Sequence, residues 1–519
     1  MKPNLNPITP PPEQPKIMFH RPRWARRSDD VANAVHASWL ILLFAIFMNV
    51  LEGSFRKWVF PESGMVKYAL YFSKDIIFAA ILFYPIRSQA SSALQQFGRW
   101  LVLGCWLMGM GAAVSCVHGL NPVGALLTSR ALVFLPVIAW LVVPRLSGLP
   151  LRWVVWLLAA ATILNFGLGT EQNRLPADHI LNRYADADVQ VVAVDSGVRA
   201  SGSFAYISGM AVISSVGIWT GLALMSLASA QWQRIAAWAV LAASFGCGLA
   251  SVSRGPIVVD VAILVGWMAF SQGGFSSLIK GMVAAAFCMV LASGIGLMPV
   301  FSGLSEGLMD RSSTAGDSFN ERAFGQIGEM VAALEYAPLG RGFGTEQVGG
   351  QYYATGVANF NHFESPLPRL VVETGALGLV GYLVVCAGAI LALQSAKHTA
   401  SSDGVKAMLL ATQLLLAIMF YSNVIFNHTA SAFTWIIFAA VMAAKETNRT
   451  AATLKTVSRN GTIEGAGLPA EGGNGSGKRR RPKLGRAIFS VTATRDEDNA
   501  ETMKPENGKK QSGREPLIR

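Results

Sequence analysis

The sequence predicts an all-α, polytopic membrane protein with about twelve transmembrane helices. Hydrophobic residues make up 52% of the 519 residues and charged residues only 14%, whereas soluble domains carry roughly 25% charged residues. The charge is also concentrated at the two ends. Residues 1–33 have a net charge of +3 and residues 445–519 of +7, out of +12 for the chain. Residues 34–444 are therefore too apolar for a soluble enzyme.

The spans follow from the apolar runs. A helix that crosses the hydrocarbon core of a membrane needs about 20 largely apolar residues. Twelve stretches fit this length, and the last two are so close together that eleven or thirteen spans stay open as alternatives. The twelve stretches are 35–51, 66–84, 100–117, 123–143, 152–169, 204–228, 234–251, 256–271, 278–298, 370–394, 405–422 and 424–444.

Basic residues predict the orientation of these spans. Five Lys and Arg residues between positions 16 and 27 precede the first span, and such residues stay on the cytoplasmic side. An even number of spans returns the C-terminus to that side, in agreement with the basic run 478–481. The same rule places two long loops, 170–203 and 299–369, on the exported, periplasmic face. Loops of this length are usually functional, so we expect the active site there.

The longer loop is acidic overall and contains an amphipathic stretch, 319–335, which we expect at the membrane surface. The tail 445–519 is rich in Gly, Ser, Asn and charged residues and is predicted to be disordered. Its segment 472–478 resembles a phosphate-binding loop, but Arg479 stands where a Ser or Thr is needed and no strand precedes it. Neither this segment nor the five cysteines, all in apolar runs, predicts a nucleotide, zinc or disulfide site.

Three arginines on the exported side are candidate phosphate ligands. Arg254 lies in a hairpin too short to reach far into water, Arg199 lies where the loop 170–203 re-enters the membrane, and Arg341 lies among glycines. A guanidinium donates two parallel hydrogen bonds to phosphate and stays charged when it is desolvated. An interfacial anchor or an ion pair within the loop is the alternative for each arginine alone.

His362 is the histidine best placed for chemistry, because it lies where the loop 299–369 returns to the bundle. A neutral imidazole there could accept a proton from an acceptor hydroxyl; the alternative is a hydrogen-bonded loop histidine. Three further ionisable residues lie in or near apolar runs, namely Lys74, Asp75 and Asp260. We expect a structural Lys–Asp pair among them within the bundle, with a transporter's proton relay as the alternative.

The order of several motifs resembles that of the O-antigen ligase/polymerase superfamily over residues 40–440. Two upstream motifs resemble a branch of that superfamily associated with exopolysaccharide polymerisation. The motifs are Glu52-Gly53-x-x-Arg56-Lys57-Trp58-x-x-Pro61, Lys74-Asp75, Arg199-x-x-Gly202-x-Phe204, Ser253-Arg254-Gly255, Pro338-Leu339-Gly340-Arg341-Gly342-Phe343-Gly344, Asn361-His362 and Glu373-Thr374-Gly375-Ala376-Leu377-Gly378.

This resemblance implies a C-type glycosyltransferase of the bacterial inner membrane. The implied donor is an undecaprenyl-diphosphate-linked oligosaccharide, and the acceptor is a growing glycan on the periplasmic face. The implied partners also include the lipid bilayer and other polysaccharide export proteins, but no nucleic acid, and neither metal nor cofactor is needed.

Family members use arginines for the diphosphate and a loop histidine for the acceptor. Arg199 and Arg254 match the arginine positions, Arg341 is a third candidate, and His362 matches the histidine approximately. The family's histidine is followed by an Asn, whereas here Asn361 precedes His362, so Glu364 is a second candidate for the base.

Two other functions remain open. The chain could be a ligase that attaches finished glycan to the lipid A core, which would differ only in its acceptor. It could also be a flippase or secondary transporter for lipid-linked polysaccharide. Transporters usually contain inverted repeats, and the sequence shows no internal repeat.

Overall fold

The computed structural model describes residues 23–86, 88–146, 148, 150–185, 193–194, 197–272, 275–292, 327–346, 365–400, 402–422 and 427–461. The chain divides into two units, Met1–Arg459 and Asn460–Arg519. Apart from the last two residues of the final helix, everything described below lies in the first unit.

The all-α prediction is confirmed for the described residues. A two-residue antiparallel ribbon, β1 (Ala193–Val194) with β2 (Gly197–Val198), pairs Ala193 with Val198. The α-helices are α1 (Arg23–Ser54), α2 (Gly64–Ala80), α3 (Ser92–Ser115), α4 (Pro122–Ser129), α5 (Leu135–Val142), α6 (Leu151–Arg174), α7 (Ile207–Leu227), α8 (Gln231–Ala250), α9 (Arg254–Gln272), α10 (Phe275–Ala292), α11 (327–336), α12 (Pro366–His398), α13 (Asp403–Ser422) and α14 (His428–Gly461).

A multi-pass membrane protein is confirmed, since eight of the described helices are long and apolar enough to cross a membrane. Each of the twelve predicted stretches overlaps a helix, and two of them correspond to shorter apolar helices, Gly255–Ser271 and Ile279–Cys288. The number of twelve crossings and the orientation of the termini stay predictions. The eight helices are Ala37–Val59, Ser92–Ser115, Pro122–Arg145, Leu151–Arg174, Ile207–Leu227, Gln231–Ala250, Pro366–His398 and Asp403–Tyr421.

Two of these spans contain a π-helical turn. Phe55–Val59 continues α1, and Arg130–Phe134 joins α4 to α5. A π-turn widens the backbone by one residue and often marks a functional site. Both turns carry a buried arginine, Arg56 and Arg130 respectively.

The centre of the bundle is α7, in which Gly209, Met210 and every residue from 212 to 224 are buried. Trp219 of this helix is fully buried, and its Nε1 donates to Thr412 Oγ1 of α13 at 2.9 Å. Farther out, α3 and α12 approach closely through glycines, since a Cβ on Gly104 would lie 2.6 Å from the Gly381 carbonyl oxygen. Small residues permit this kind of contact between membrane helices.

Several helix ends meet at one end of the bundle, which we call the loop face (residues 54–57, 115–122, 172–185, 193–194, 197–207, 250–254 and 337–346). Ser54 Oγ at the end of α1 donates to Ser203 O at 3.0 Å. Ala200 N donates to Ala250 O at the end of α8 at 3.1 Å. Asn121, the cap of α4, donates its N–H to Phe343 O at 3.0 Å. The predicted site residues that the structure describes lie on these segments.

Candidate functional site

Arg199 is held against the turn between α8 and α9. Its Nε donates to the Ser251 carbonyl oxygen at 3.2 Å, and its Nη2 donates to Ser253 Oγ at 2.5 Å. The neighbouring Ala200 N donates to Ala250 O. These three bonds fix both the backbone and the guanidinium of Arg199 relative to the start of α9.

Arg254 is the first residue of α9 and directly follows Ser253. The structure therefore brings Arg199 and the first residue of α9 to the same turn, whereas the sequence predicted only that the two arginines lie at re-entry turns on one face. The turn is strained, because Val252 has a φ of 50° and β-branched residues rarely adopt positive φ. The unpaired N–H groups at the start of a helix add partial positive charge, so this turn favours an anion.

The segment 199–204 is anchored by three buried polar side chains. Lys57 Nζ donates to Ser201 Oγ at 3.0 Å and to Gly202 O at 2.7 Å. Gln172 Oε1 accepts from the backbone N–H of Ser201 and of Gly202 at 3.0 and 2.8 Å. Asn165 Oδ1 accepts from Ser203 N at 2.8 Å. The anchors leave Arg199 little freedom to move.

Glycine is required within this segment and beside it. Gly202 has a φ of +58° and also lies against Asn165, so an L side chain there would be strained and crowded. A Cβ on Gly53, at the end of α1, would lie 2.2 Å from Ala205 N. The upstream motif that contains Gly53 and Lys57 therefore packs directly onto the motif of Arg199.

The glycine-rich segment 338–344 docks on the ends of α3 and α4. Gly340, Gly342 and Gly344 have φ values of 81°, 150° and 79°. Phe343 N donates to Gly119 O at 3.1 Å, and Gly342 N donates to Ser115 Oγ at 2.8 Å. The segment is therefore a hydrogen-bonded loop with three glycines at positive φ. The glycine pattern in the sequence was only weak evidence for such a loop.

Arg341 projects from this loop and is exposed. Its Nη1 donates to the Tyr336 hydroxyl at 2.5 Å, its Cζ lies 3.5 Å from the centre of that ring, and its backbone N donates to Val372 O at 2.7 Å. These partners belong to α11 and α12, whereas Arg199 contacts the α8–α9 turn. The described contacts therefore do not join Arg341 to the other two arginines.

His362 and Glu364 lie outside the described residues, so their placement stays a prediction. The described stretches that flank them, 327–346 and 365–400, contact each other through the carboxylate of Glu373. Glu373, fully buried in α12, accepts from Glu346 N at 3.1 Å and from Thr128 Oγ1 at 2.7 Å. Gly375, two residues later, interrupts the helical backbone with a φ of 68°, and Ala376 N donates to Pro338 O.

A buried ionic cluster connects α1, α2 and the second π-turn. Glu52 accepts from Arg56 Nη1 and from Lys74 Nζ, each at 2.8 Å. Asp75 forms an ion pair with Arg130 Nε. The expected Lys–Asp pair is therefore wrong, because Lys74 pairs with Glu52 and Asp75 with an arginine. Consecutive residues of a helix point in different directions, so each takes a partner from another element.

An aromatic ring lies at the centre of this cluster. The Tyr71 ring faces the cations of Arg130, Lys74 and Arg56 at 4.7, 5.5 and 5.6 Å. The His428 ring lies edge-on to it, at 5.1 Å between ring centres. Asp260, the third intramembrane residue predicted from the sequence, is separate from this cluster. It accepts hydrogen bonds from Ser214 and Ser215 of α7.

The sequence reasoning missed Arg130, the glutamine anchor Gln172 and the role of Lys57. A signal for Arg130 existed, because an arginine within the apolar stretch 123–143 is itself a sign of function. Gln172 carries no such signal, since its role depends on where the segment 201–203 folds.

No group of three His, Cys, Asp or Glu side chains in the described part of the chain could hold a metal ion. Comparison with known protein families and with curated proteins gives no match for this chain. A functional assignment therefore depends on the residues described above and on the motif resemblance.

Proposed function

We propose that the protein is a membrane glycosyltransferase that transfers an undecaprenyl-diphosphate-linked oligosaccharide to a growing glycan. In this proposal it is a repeat-unit polymerase of the bacterial inner membrane, and the loop face is periplasmic. The observation that carries the proposal is the hydrogen bonding of Arg199 to Ser251 and Ser253, which places one candidate diphosphate ligand at the residue before the other, Arg254.

The chemistry of the donor explains why two arginines are needed. The anomeric carbon is already bonded to a diphosphate, which is a good leaving group, so the site has to stabilise the negative charge that develops on departure. Cations held in place before the reaction do this most effectively in a site of low polarity. Arg199 meets this condition, because its guanidinium and backbone are both hydrogen-bonded to the α8–α9 turn.

The acceptor hydroxyl needs a base or an orienting group. We propose His362 or Glu364 for this role, and the loop that carries them would exclude water and so prevent hydrolysis of the donor. Two anchors support this arrangement. The described residues on either side of this loop are held in place, since Glu346 donates its N–H to Glu373 and Ser365 is the N-cap residue of α12. Arg341, on the glycine-rich segment, would add a third cation when the loop closes.

The test is a comparison of Arg254→Ala with Arg234→Ala. Both residues lie in the first turn of a helix, but Arg234 is exposed near the start of α8, at the opposite end of that helix from the α8–α9 turn. In cells that lack the chromosomal copy, Arg254→Ala should insert normally and make no polymer, whereas Arg234→Ala should restore wild-type polymer. Near-normal polymer with Arg254→Ala would contradict the proposal.

A further inference from the structure

Arg130 lies in the interior of the bundle with only part of its guanidinium used. The residue is 4% exposed and begins the second π-turn. It is eight residues into the span that starts at Pro122, or roughly 12 Å along a helix. Such a residue is costly inside a membrane and normally has a function.

Aromatic rings and one carboxylate fix the plane of this guanidinium. Its Cζ lies 4.7 Å from the centre of the Tyr71 ring and 5.7 Å from that of Phe72. Its Nε is paired with Asp75. The contacts therefore set both the tilt and the rotation of the group, and they leave the two terminal nitrogens outside the ion pair.

Those two nitrogens, Nη1 and Nη2, are buried and have no hydrogen-bond partner within the described residues. A buried donor without an acceptor is destabilising, and Arg130 carries four N–H bonds on these atoms. Of the nearby carboxylates, Glu52 is bound to Arg56 and Lys74, and Asp75 Oδ2 is paired with Nε. Asp75 Oδ1, itself without a partner among the described residues, and the Tyr71 hydroxyl are the acceptors that the described contacts place nearby, and they are fewer than the four N–H bonds. An acceptor from outside the chain would satisfy the rest.

His428 adds a third unsatisfied group beside the same aromatic ring. Its Nδ1 is buried without a partner in the described part of the chain, and its ring is 5.1 Å from Tyr71. Lys74 Nζ and Arg130 Cζ lie 5.5 and 4.7 Å from the centre of the same Tyr71 ring. An anion at this position would thus be surrounded by donors and positive charge.

We propose that Arg130 binds one phosphate group inside the bundle, through Nη1 and Nη2 to two of its oxygens, with His428 Nδ1 donating to a third. Phosphate fits because it offers three terminal oxygens to three donors and because the guanidinium fork matches its geometry. The phosphate can belong to a lipid or be inorganic. The inference is independent of the proposed function, which uses Arg199 and Arg254 but not Arg130.

The surroundings show where such a group could enter. The Asp75 side chain is 14% exposed, and Tyr68, on the preceding turn of the same helix, is 42% exposed. Residues three to four apart share one side of a helix, so Tyr68, Tyr71 and Asp75 lie on one side of α2, which is exposed at Tyr68 and partly buried at Tyr71 and Asp75.

The test uses the full-length protein in phosphatidylcholine nanodiscs, titrated separately with undecaprenyl phosphate and with inorganic phosphate. Bound adducts are measured by native mass spectrometry, and the unfolding temperature is recorded with and without each probe. Wild type should bind at least one probe, and Arg130→Gln should weaken that binding at least tenfold. Arg130→Lys keeps the positive charge beside Asp75 but lacks the paired terminal nitrogens of the guanidinium. If the Gln variant does not fold, this variant tests whether phosphate binding needs those two nitrogens. We expect it to bind at least fivefold more weakly than wild type.

Arg145→Gln is the matched control. Arg145 ends the same span, and its guanidinium donates only to backbone carbonyls in the described contacts, those of Tyr84 and Leu141. This variant should bind like wild type and should be stabilised by the probe equally. If only undecaprenyl phosphate binds, the ligand of Arg130 is a lipid phosphate. If inorganic phosphate binds as well, the phosphate group alone is sufficient for binding. The proposal is overturned if wild type binds neither probe, or if Arg130→Gln or Arg130→Lys binds as tightly as wild type.

Discussion

Arg199 donates a 2.5 Å hydrogen bond to Ser253, the residue that directly precedes Arg254. Two arginines that are 55 positions apart in the sequence are thereby attached to one turn. The proposed diphosphate site needs two cations close together, and this bond attaches Arg199 to the turn from which the second arginine extends.

Ser253→Ala should therefore slow glycan transfer without preventing folding. The hydroxyl is lost, but the Ser251 carbonyl still holds Arg199 Nε, so we expect a reduction of about tenfold, corresponding to roughly 1.4 kcal/mol. The initial rate of donor consumption in membranes measures this. Ser226→Ala removes a hydroxyl that bonds only to the backbone of its own helix and should leave the rate unchanged; an equal loss in both variants would contradict the role of Ser253.

The strained turn makes a second prediction. Val252 has a φ of 50°, which costs roughly 1 kcal/mol for a residue with a side chain, and glycine removes that cost. Val258 lies in α9 and is 48% exposed, and glycine there costs about 1 kcal/mol. The free energy of unfolding, measured by thermal unfolding in detergent, should therefore be about 1–2 kcal/mol higher for Val252→Gly than for Val258→Gly. The opposite order would show that the turn is not strained.

The docking of the glycine-rich segment is tested at Gly124. A Cβ there would lie 1.9 Å from the Gly344 carbonyl oxygen, so Gly124→Ala must displace the segment that carries Arg341. We expect a folded protein with transfer reduced at least tenfold. On α3, a Cβ added to Gly109 would have no other atom within 4 Å, and Gly109→Ala should retain full activity. Activity of Gly124→Ala equal to that of Gly109→Ala would show that the docked segment is dispensable.

The buried ion pair of Asp75 makes a prediction about stability. Asp75→Asn leaves Arg130 charged and unpaired in the interior, which costs about 3–5 kcal/mol. The exposed pair of Asp403 and Lys406, at 3.2 Å, gives the comparison, since such surface pairs contribute about 0–1 kcal/mol. Asp75→Asn should lower the unfolding temperature strongly and Asp403→Asn hardly at all. Similar small shifts in both would mean that Arg130 does not depend on Asp75.

The sequence predicted the helices well and the contacts between them poorly. Apolar length identifies a helix such as Ile207–Leu227, because the membrane requires it. The order of the spans also predicted Arg199 and Arg254 on one face. Side-chain partners depend instead on how each helix is rotated against its neighbours, so Lys74 was wrongly expected to pair with an aspartate when it bonds to Glu52.

The two π-turns and the anchor Lys57 were equally invisible in the sequence. A π-turn is one extra residue in a helical run and leaves the apolar pattern unchanged. Lys57 acquires its role only because the segment 201–202, far along the chain, folds onto its amine.

The most direct test of the proposed glycosyltransferase is the length of the glycan on undecaprenyl diphosphate in cells that lack this protein. Lipid is extracted from mutant and complemented cells and analysed by mass spectrometry. We predict that single repeat units accumulate in the mutant and disappear on complementation with wild type but not with Arg254→Ala. Accumulation of long chains would identify a ligase instead, and lipid-linked glycan unchanged in both amount and length would contradict the glycosyltransferase function.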